Sequence, residues 1–154
     1  RDAQESRGLG DVYKRQLMGR ILAIDFGSKR SGLATTDPLG IVATPLKALL
    51  THNIFDFLSQ YFKKEDVEKV VVGWPKNIDG SDTNNTPLVR AFLNRFKKLF
   101  PKMPLSLQDE WNTSNFAMKA LIDSGVKKKG RRDKFAIDQV SAVLILQSYL
   151  ESKT

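Results

Sequence analysis

Two spacings of apolar residues alternate along the chain. Residues 20–26 are apolar on both faces except at Arg20, which opens the segment, and at Asp25, the pattern of a central strand covered on both sides. Residues 31–37 and 40–45 are short and β-prone, and Asp37-Pro38-Leu39-Gly40 between them is a turn signal, so the three segments predict an antiparallel meander. Residues 51–64 then carry Ile54, Phe55, Phe57, Leu58, Tyr61 and Phe62 at helical spacing, and residues 68–73 return to a short buried strand. A helix over 85–100, with Leu88, Phe92, Leu93, Phe96 and Leu99 on one side, leads to a strand at 104–108. Two more helices are predicted at 113–124 and 135–151. Strands reached through helices after a meander imply an α/β fold, with a mixed five-stranded sheet flanked by helices. Its antiparallel three-stranded meander is extended by two parallel strands.

Residues 1–17 show no such periodicity and read as a non-native or disordered leader before Met18-Gly19-Arg20, which leaves 18–154 as one domain. The chain of 154 residues has no cysteine and one histidine, His52, which excludes disulfides, thiolate sites and His-paired zinc. Any bound metal must therefore be held by oxygen. No apolar run approaches the roughly 18 residues of a membrane span, and no signal-peptide pattern is visible, so the expected location is the cytoplasm. The 25 Lys and Arg against 17 Asp and Glu leave +8, a field that favours polyanions. The excess is concentrated. Lys127, Lys128, Lys129, Arg131, Arg132 and Lys134 are six cations against the single acid Asp133, leaving +5 in eight residues. Such a run is either a solvated loop or a phosphate-binding segment.

Three acids stand out against the apolar pattern. Asp25 shares a strand face with Ile21 and Ala23, where an ionised carboxylate is costly unless it is paired or bound to metal. Lys29 or Arg30 could pair with it across the hairpin; a metal is the alternative. Asp109-Glu110 follows the strand at 104–108, and the C-terminal ends of strands are where open α/β sheets build their sites. Alternation alone leaves open which of the two enters a site, and either could cap the next helix. Asp138 leads a helical stripe through Ala142, Ile145 and Tyr149, which makes it inward-facing rather than a simple cap. Three separated acids without cysteine suit Mg²⁺ or Mn²⁺. Two such ions roughly 4 Å apart can activate water and stabilise the leaving oxygen of a phosphodiester. The basic run, ending just before Asp138, would bring phosphates to them.

Ribonuclease H-like folds share the predicted layout, as do some actin-like half domains. Four ordered motifs narrow the choice: "GRILAIDFGSKRSGLATTDPLG", "VEKVVVGWPKNIDG", "DEWNTS" and "KKKGRRDKFAIDQVSAVLILQSYLES". From Met18 to about Ser152 the chain resembles the YqgF or RuvX group of Holliday junction resolvase-like nucleases, candidates for processing the 5′ end of precursor 16S ribosomal RNA. The resemblance implies a ribonuclease H-like fold and a metal-dependent endonuclease. It assigns catalysis and metal binding to Asp25, Glu110 and Asp138, so preferring Glu110 over Asp109. Gly27 and Gly32 match the glycines of the first hairpin, where close backbone approach or positive φ is needed. Lys29 and Arg30 match its basic tip, and Gly73, Pro75, Asn77, Asp79 and Gly80 fall in the loop after the fourth strand. Where the family usually has arginine and a small or apolar residue after "DE", this chain has Trp111 and Asn112. Trp111 is either a base-stacking residue or a packed rim aromatic.

The leading expectation is therefore a cytoplasmic nuclease using Mg²⁺ or Mn²⁺, with two ions, on structured RNA or branched DNA, as a monomer or weak homodimer. Lys29, Arg30 and the 127–134 segment would hold phosphates. Two rivals are a catalytically silent nucleic-acid-binding module in ribosome assembly or transcription, and an actin-like phosphotransferase. The last would need a second lobe that a chain of this length does not supply.

Overall fold

The structure, a computed structural model, describes residues 19–77, 79–110 and 134–153. The leader at 1–17, the helix expected at 113–124, Trp111, Asn112 and the cations Lys127, Lys128, Lys129, Arg131 and Arg132 lie outside the described residues. Within them the chain runs β1 (Arg20–Asp25), β2 (Arg30–Thr36), β3 (Ala43–Leu50), a 3₁₀ turn (Thr51–Asn53), α1 (Ile54–Lys64), β4 (Val67–Pro75), α2 (Thr86–Leu99), β5 (Leu105–Glu110) and α3 (Lys134–Glu151). The described strands form one five-stranded sheet in the order β3-β2-β1-β4-β5. The β1–β2 and β2–β3 pairs are antiparallel, and β1–β4 and β4–β5 are parallel. This is the mixed five-stranded α/β arrangement expected from the sequence, an antiparallel meander extended by two parallel strands.

Side-chain alternation gives the sheet two unlike faces. Leu22, Ile24, Leu33, Val70 and Val72 point to one side and bury themselves against α1 and α2, with Leu58, Val89, Phe92 and Phe96 filling the layer. Ala23, Ala34 and Val71 point to the other side and meet Ala142, Ile145, Leu146 and Tyr149 of α3. Small residues on this second face let α3 lie close to the strands. Asp25 follows Ala23 on it, so the acid is presented toward α3.

One expected boundary is corrected. The third strand begins at Ala43, not near residue 40, because Asp37 closes a longer turn than its Pro-Leu-Gly composition suggests. Asp37 Oδ1 accepts hydrogen bonds from the backbone N–H groups of Ile41 and Val42, each at 2.8 Å, and Gly40 takes φ +71° within the loop. The donated hydrogen bonds, that of Val42 first, hold the Asp37 carboxyl below its usual range. The strand then runs on to Leu50, with a register shift opposite Leu33 and Ala34 where Pro45 sits. As the sheet's edge strand, β3 tolerates a proline that cannot donate to the ladder.

β5 is also longer than expected. Pairing continues through Trp74↔Asp109 and Pro75↔Glu110, which carries both acids into the strand itself. The helix expected over 51–64 opens with the 3₁₀ turn, and the final helix begins at Lys134. Among the described residues no helix is long and apolar enough to cross a membrane.

Candidate active site

Where β1, β4 and β5 end, an open cleft of about 370 Å³ is lined by Asp25, Glu110 and Asp138 together with the hairpin tip from Phe26 to Arg30, Pro75 and Asn85. Three acids far apart in sequence thus meet at one end of the sheet. Asp25 comes from the C-terminus of β1, Glu110 from that of β5, and Asp138 from the second turn of α3.

Glycines set how close these groups come. Gly32 is the β2 partner of Asp25, and a Cβ at Gly32 would overlap the backbone carbonyl of Asp138. The absent side chain is what seats the first turns of α3 beside Asp25. Gly73 on β4 does the same for Glu110: a Cβ there would fall 2.5 Å from Glu110 Oε2 and 2.6 Å from Ile145 Cδ1. Neither glycine has a positive φ, so close approach, and not backbone conformation, explains both positions.

The choice that alternation left open is resolved by the strand. Glu110 turns into the cleft, whereas Asp109 points away, half exposed, and pairs with Lys76 Nζ at 3.3 Å. Burial pushes the Asp25 carboxyl well above its ordinary 3.8, and the negative charge of Glu110 raises it further. A hydrogen bond donated by protonated Asp25 to Glu110 and the more distant charge of Asp138 act in the same direction. Two carboxylates so placed share a proton when nothing else neutralises them. A divalent cation between them would serve the same end, and hard oxygen donors suit Mg²⁺ or Mn²⁺. Among the described residues no three acidic or imidazole side chains converge tightly enough to enclose an ion.

Asp138 has an internal cation. Arg30 Nε donates to Asp138 Oδ2 at 3.0 Å, in a pair whose side chains are mostly buried. The hairpin arginine therefore reaches α3 and not Asp25. Lys29 is exposed at the cleft's edge, and Lys134 is exposed at the start of α3, one helical turn before Asp138.

The hairpin tip is fixed by a ring of hydrogen bonds that sequence reading did not find. Thr51 Oγ1 donates to the Gly27 carbonyl at 2.7 Å, which leaves Ser31 Oγ to donate to Thr51 Oγ1, also at 2.7 Å. Ser31 Oγ in turn accepts from Gly27 N–H at 3.3 Å. Asn85 adds a strut: its Nδ2 donates to the Phe26 carbonyl at 2.7 Å across 59 positions of sequence. An Asn before a helix reads as a cap, but this side chain is spent on the hairpin and makes no cap hydrogen bond. Gly73 and Pro75, expected in the loop after the fourth strand, belong to β4 itself, because its pairing with β5 runs on through Pro75↔Glu110, and Pro75 lines the cleft. Asn77 and Asp79 instead stabilise their own turn through Ser81, with Gly80 at φ +85°.

The chain matches the RuvX family, described as Holliday junction resolvase, across residues 19–152. A relative from Phocaeicola vulgatus is 46% identical over 136 residues, covering 88% of this chain and 98% of that one. A second, from Christiangramia forsetii, is 46% identical over 133 residues, with 86% and 98% covered. A third, from Porphyromonas gingivalis, is 44% identical over 135 residues, with 88% and 98% covered. All three carry the name of candidate pre-16S rRNA nuclease. The solved structure of T. thermophilus RuvC in complex with a Holliday junction substrate aligns with a TM-score of 0.49 and 15% identity, over 87% of this chain and 96% of that one. Matched over nearly all of its length beyond the first 18 residues, and close to half identical to full-length relatives, the chain belongs to the RuvX family of Holliday junction resolvases.

Proposed function

We propose that this RuvX-family protein is an endonuclease that hydrolyses phosphodiester bonds of structured nucleic acid in the cytoplasm, acting as a monomer or weak homodimer. The carrying observation is the Asp25–Glu110 pair, two mutually repelling carboxyls in an open cleft at the strand ends, with Asp138 on its wall. Asp25 and Glu110 would hold Mg²⁺ or Mn²⁺, and Asp138, paired with Arg30, stands on the cleft wall as the third candidate acid. When bound, such ions supply a water nucleophile near neutral pH and stabilise the leaving oxygen. The protein's own part is to hold the two carboxyls on rigid strands and to keep Asp138 in register through Gly32. Lys29, Arg30, Lys134 and the cations Lys127, Lys128, Lys129, Arg131 and Arg132 provide the positive field that draws a phosphate backbone in.

The names of the relatives favour precursor 16S ribosomal RNA as substrate, and the family description favours branched DNA. A Mn²⁺ cleavage assay on both substrates, comparing wild type with Asp25→Asn, tests the reading. Cleavage lost in the variant supports it, and cleavage by the variant at the wild-type rate overturns the assignment. A second reading, a binding module without catalysis, draws on the Arg30–Asp138 pair, which already gives one acid a cation. Salt-dependent binding with no cleavage in either metal would select it.

A further inference from the structure

Behind the hairpin tip lies a second cavity, of about 360 Å³, which shares Phe26 and Ser28 with the carboxylate cleft. Its character is different. Phe26 stacks on Phe92 with ring centroids 4.5 Å apart, and Phe55 meets Phe92 at 5.3 Å. Leu88 and Ala91, both exposed on α2, form the outer wall, and Leu88 is 44% exposed despite its size. Ser28 and Thr51 add hydroxyls to the lining, and the longer polar side chains are exposed at its edge: His52, and Arg95, whose guanidinium lies 4.6 Å from the Phe55 ring centre.

We propose that this cavity receives an unpaired base of the strand whose backbone lies in the carboxylate cleft. The inference rests on the nuclease reading of that cleft. Every base has a π-face that stacks on aromatic rings or on an arginine plane, so an aromatic pocket edged by Arg95 suits a base without demanding a sequence. His52 and Arg95 offer hydrogen-bonding groups to a base edge. The shared wall of Phe26 and Ser28 supplies the link: a nucleotide whose phosphate sits by Asp25 has its neighbour beside this opening. The occupant is therefore part of a bound strand, not a free nucleotide. The pocket favours substrates with a base already unpaired, because extrusion from a duplex costs unstacking.

Two perturbations leave the aromatic core intact. An abasic site moved stepwise along the substrate removes the base and does not touch the protein. Ala91→Met fills the cavity from an exposed helical position with a good helix former. Binding is read with Asp25→Asn protein on strands carrying 2-aminopurine, so that it does not depend on turnover, and the melting temperature of Ala91→Met controls for folding. The expected result is one abasic position, beside the cut bond, that weakens binding about 5- to 150-fold. Ala91→Met should weaken intact strands similarly and be indifferent to the abasic site. Equal binding of intact and abasic strands at every position, or an Ala91→Met protein that binds like its parent, overturns the pocket while leaving the nuclease reading standing. Tight binding of free nucleoside monophosphates that is blocked by Ala91→Met also overturns it, by assigning the cavity to a free ligand. Failure of wild type to bind or cut any strand instead removes the nuclease reading itself.

Discussion

Gly32 on β2 lies directly against the backbone of Asp138 on α3, with no room for a side chain between them. The contact joins the meander to the helix that bears the third acid. Gly32→Ala forces Asp138 and the start of α3 outward, because the obstructing atoms are main chain and cannot rotate away. The expected cost is about 1–3 kcal/mol of stability, as for other overpacked sites. Nuclease turnover should fall together with the urea midpoint. Wild-type turnover in a folded Gly32→Ala protein would show that this contact does not set the site.

Asp25→Asn should leave no measurable cleavage in Mg²⁺ or Mn²⁺ while preserving the far-ultraviolet circular dichroism spectrum and most nucleic-acid affinity. Removing a charge that Glu110 and Asp138 repel also relieves the protein, so the variant should melt no lower than wild type at neutral pH and without divalent cation. Differential scanning calorimetry in chelator decides the point.

The same repulsion predicts a pH dependence. The Asp25 carboxyl titrates higher in the folded chain than its ordinary 3.8, so the folded state holds the proton more tightly than the unfolded state does. Its contribution to stability is complete below 3.8 and is lost as pH rises through the raised folded value. Cation-free wild type should therefore lose stability over that interval relative to Asp25→Asn. Mg²⁺ or Mn²⁺ should recover the loss in wild type by binding the folded state. Urea titrations at several pH values, with and without the cation, measure it. Parallel curves for the two proteins would refute a raised Asp25.

Thr51→Val keeps the shape of the side chain but breaks the ring that ties Thr51, Ser31 and Gly27 together. Two partly buried polar groups lose a partner, at a cost of about 1–3 kcal/mol. The loosened hairpin carries Lys29 and Arg30, so amide exchange should quicken at residues 27–31 and cleavage should fall, while exchange in α1 and α2 stays slow. Unchanged protection at the tip would mean that other contacts hold it.

Arg30→Gln removes the charge beside Asp138. The pair keeps some solvent contact, which limits its contribution to about 1–2 kcal/mol. The melting temperature should fall and apparent Mg²⁺ affinity, followed by calorimetric titration, should rise as a competing internal cation is lost. Lower Mg²⁺ affinity in the variant would show Arg30 to support the ion site and not to compete with it.

The strands, α1, α2 and α3 were legible because their apolar spacing is strong and the rings of Phe92 and Phe96 leave little ambiguity about the buried side. The acids were legible too: Asp25 because it interrupts an apolar strand, and Asp138 because it heads the stripe of Ala142, Ile145 and Tyr149. Alternation could not choose between Asp109 and Glu110. Both faces of β5 are mixed, and it takes the gap above Gly73 to show which carboxylate is admitted. The late start of β3 was hidden because a side chain, Asp37 Oδ1, closes the turn. Asn85 and Thr51 were hidden for a related reason. Their partners are main-chain carbonyls at Phe26 and Gly27, far off in sequence, and nothing in a residue's type names a distant carbonyl.

The unlike faces of the sheet divide mutation pressure along a single strand. In β1, Leu22 and Ile24 face the phenylalanine-rich layer, where exchange among aliphatic residues of similar volume is readily absorbed. Ala23 and Asp25 face α3, where an added methyl group displaces a helix and the carboxylate it carries. Even positions of this strand thus answer to folding and odd positions to chemistry. A scan of all substitutions should separate the two by parity: variants at 22 and 24 should lose activity only as far as they lose folded protein, and variants at 23 and 25 should lose activity first.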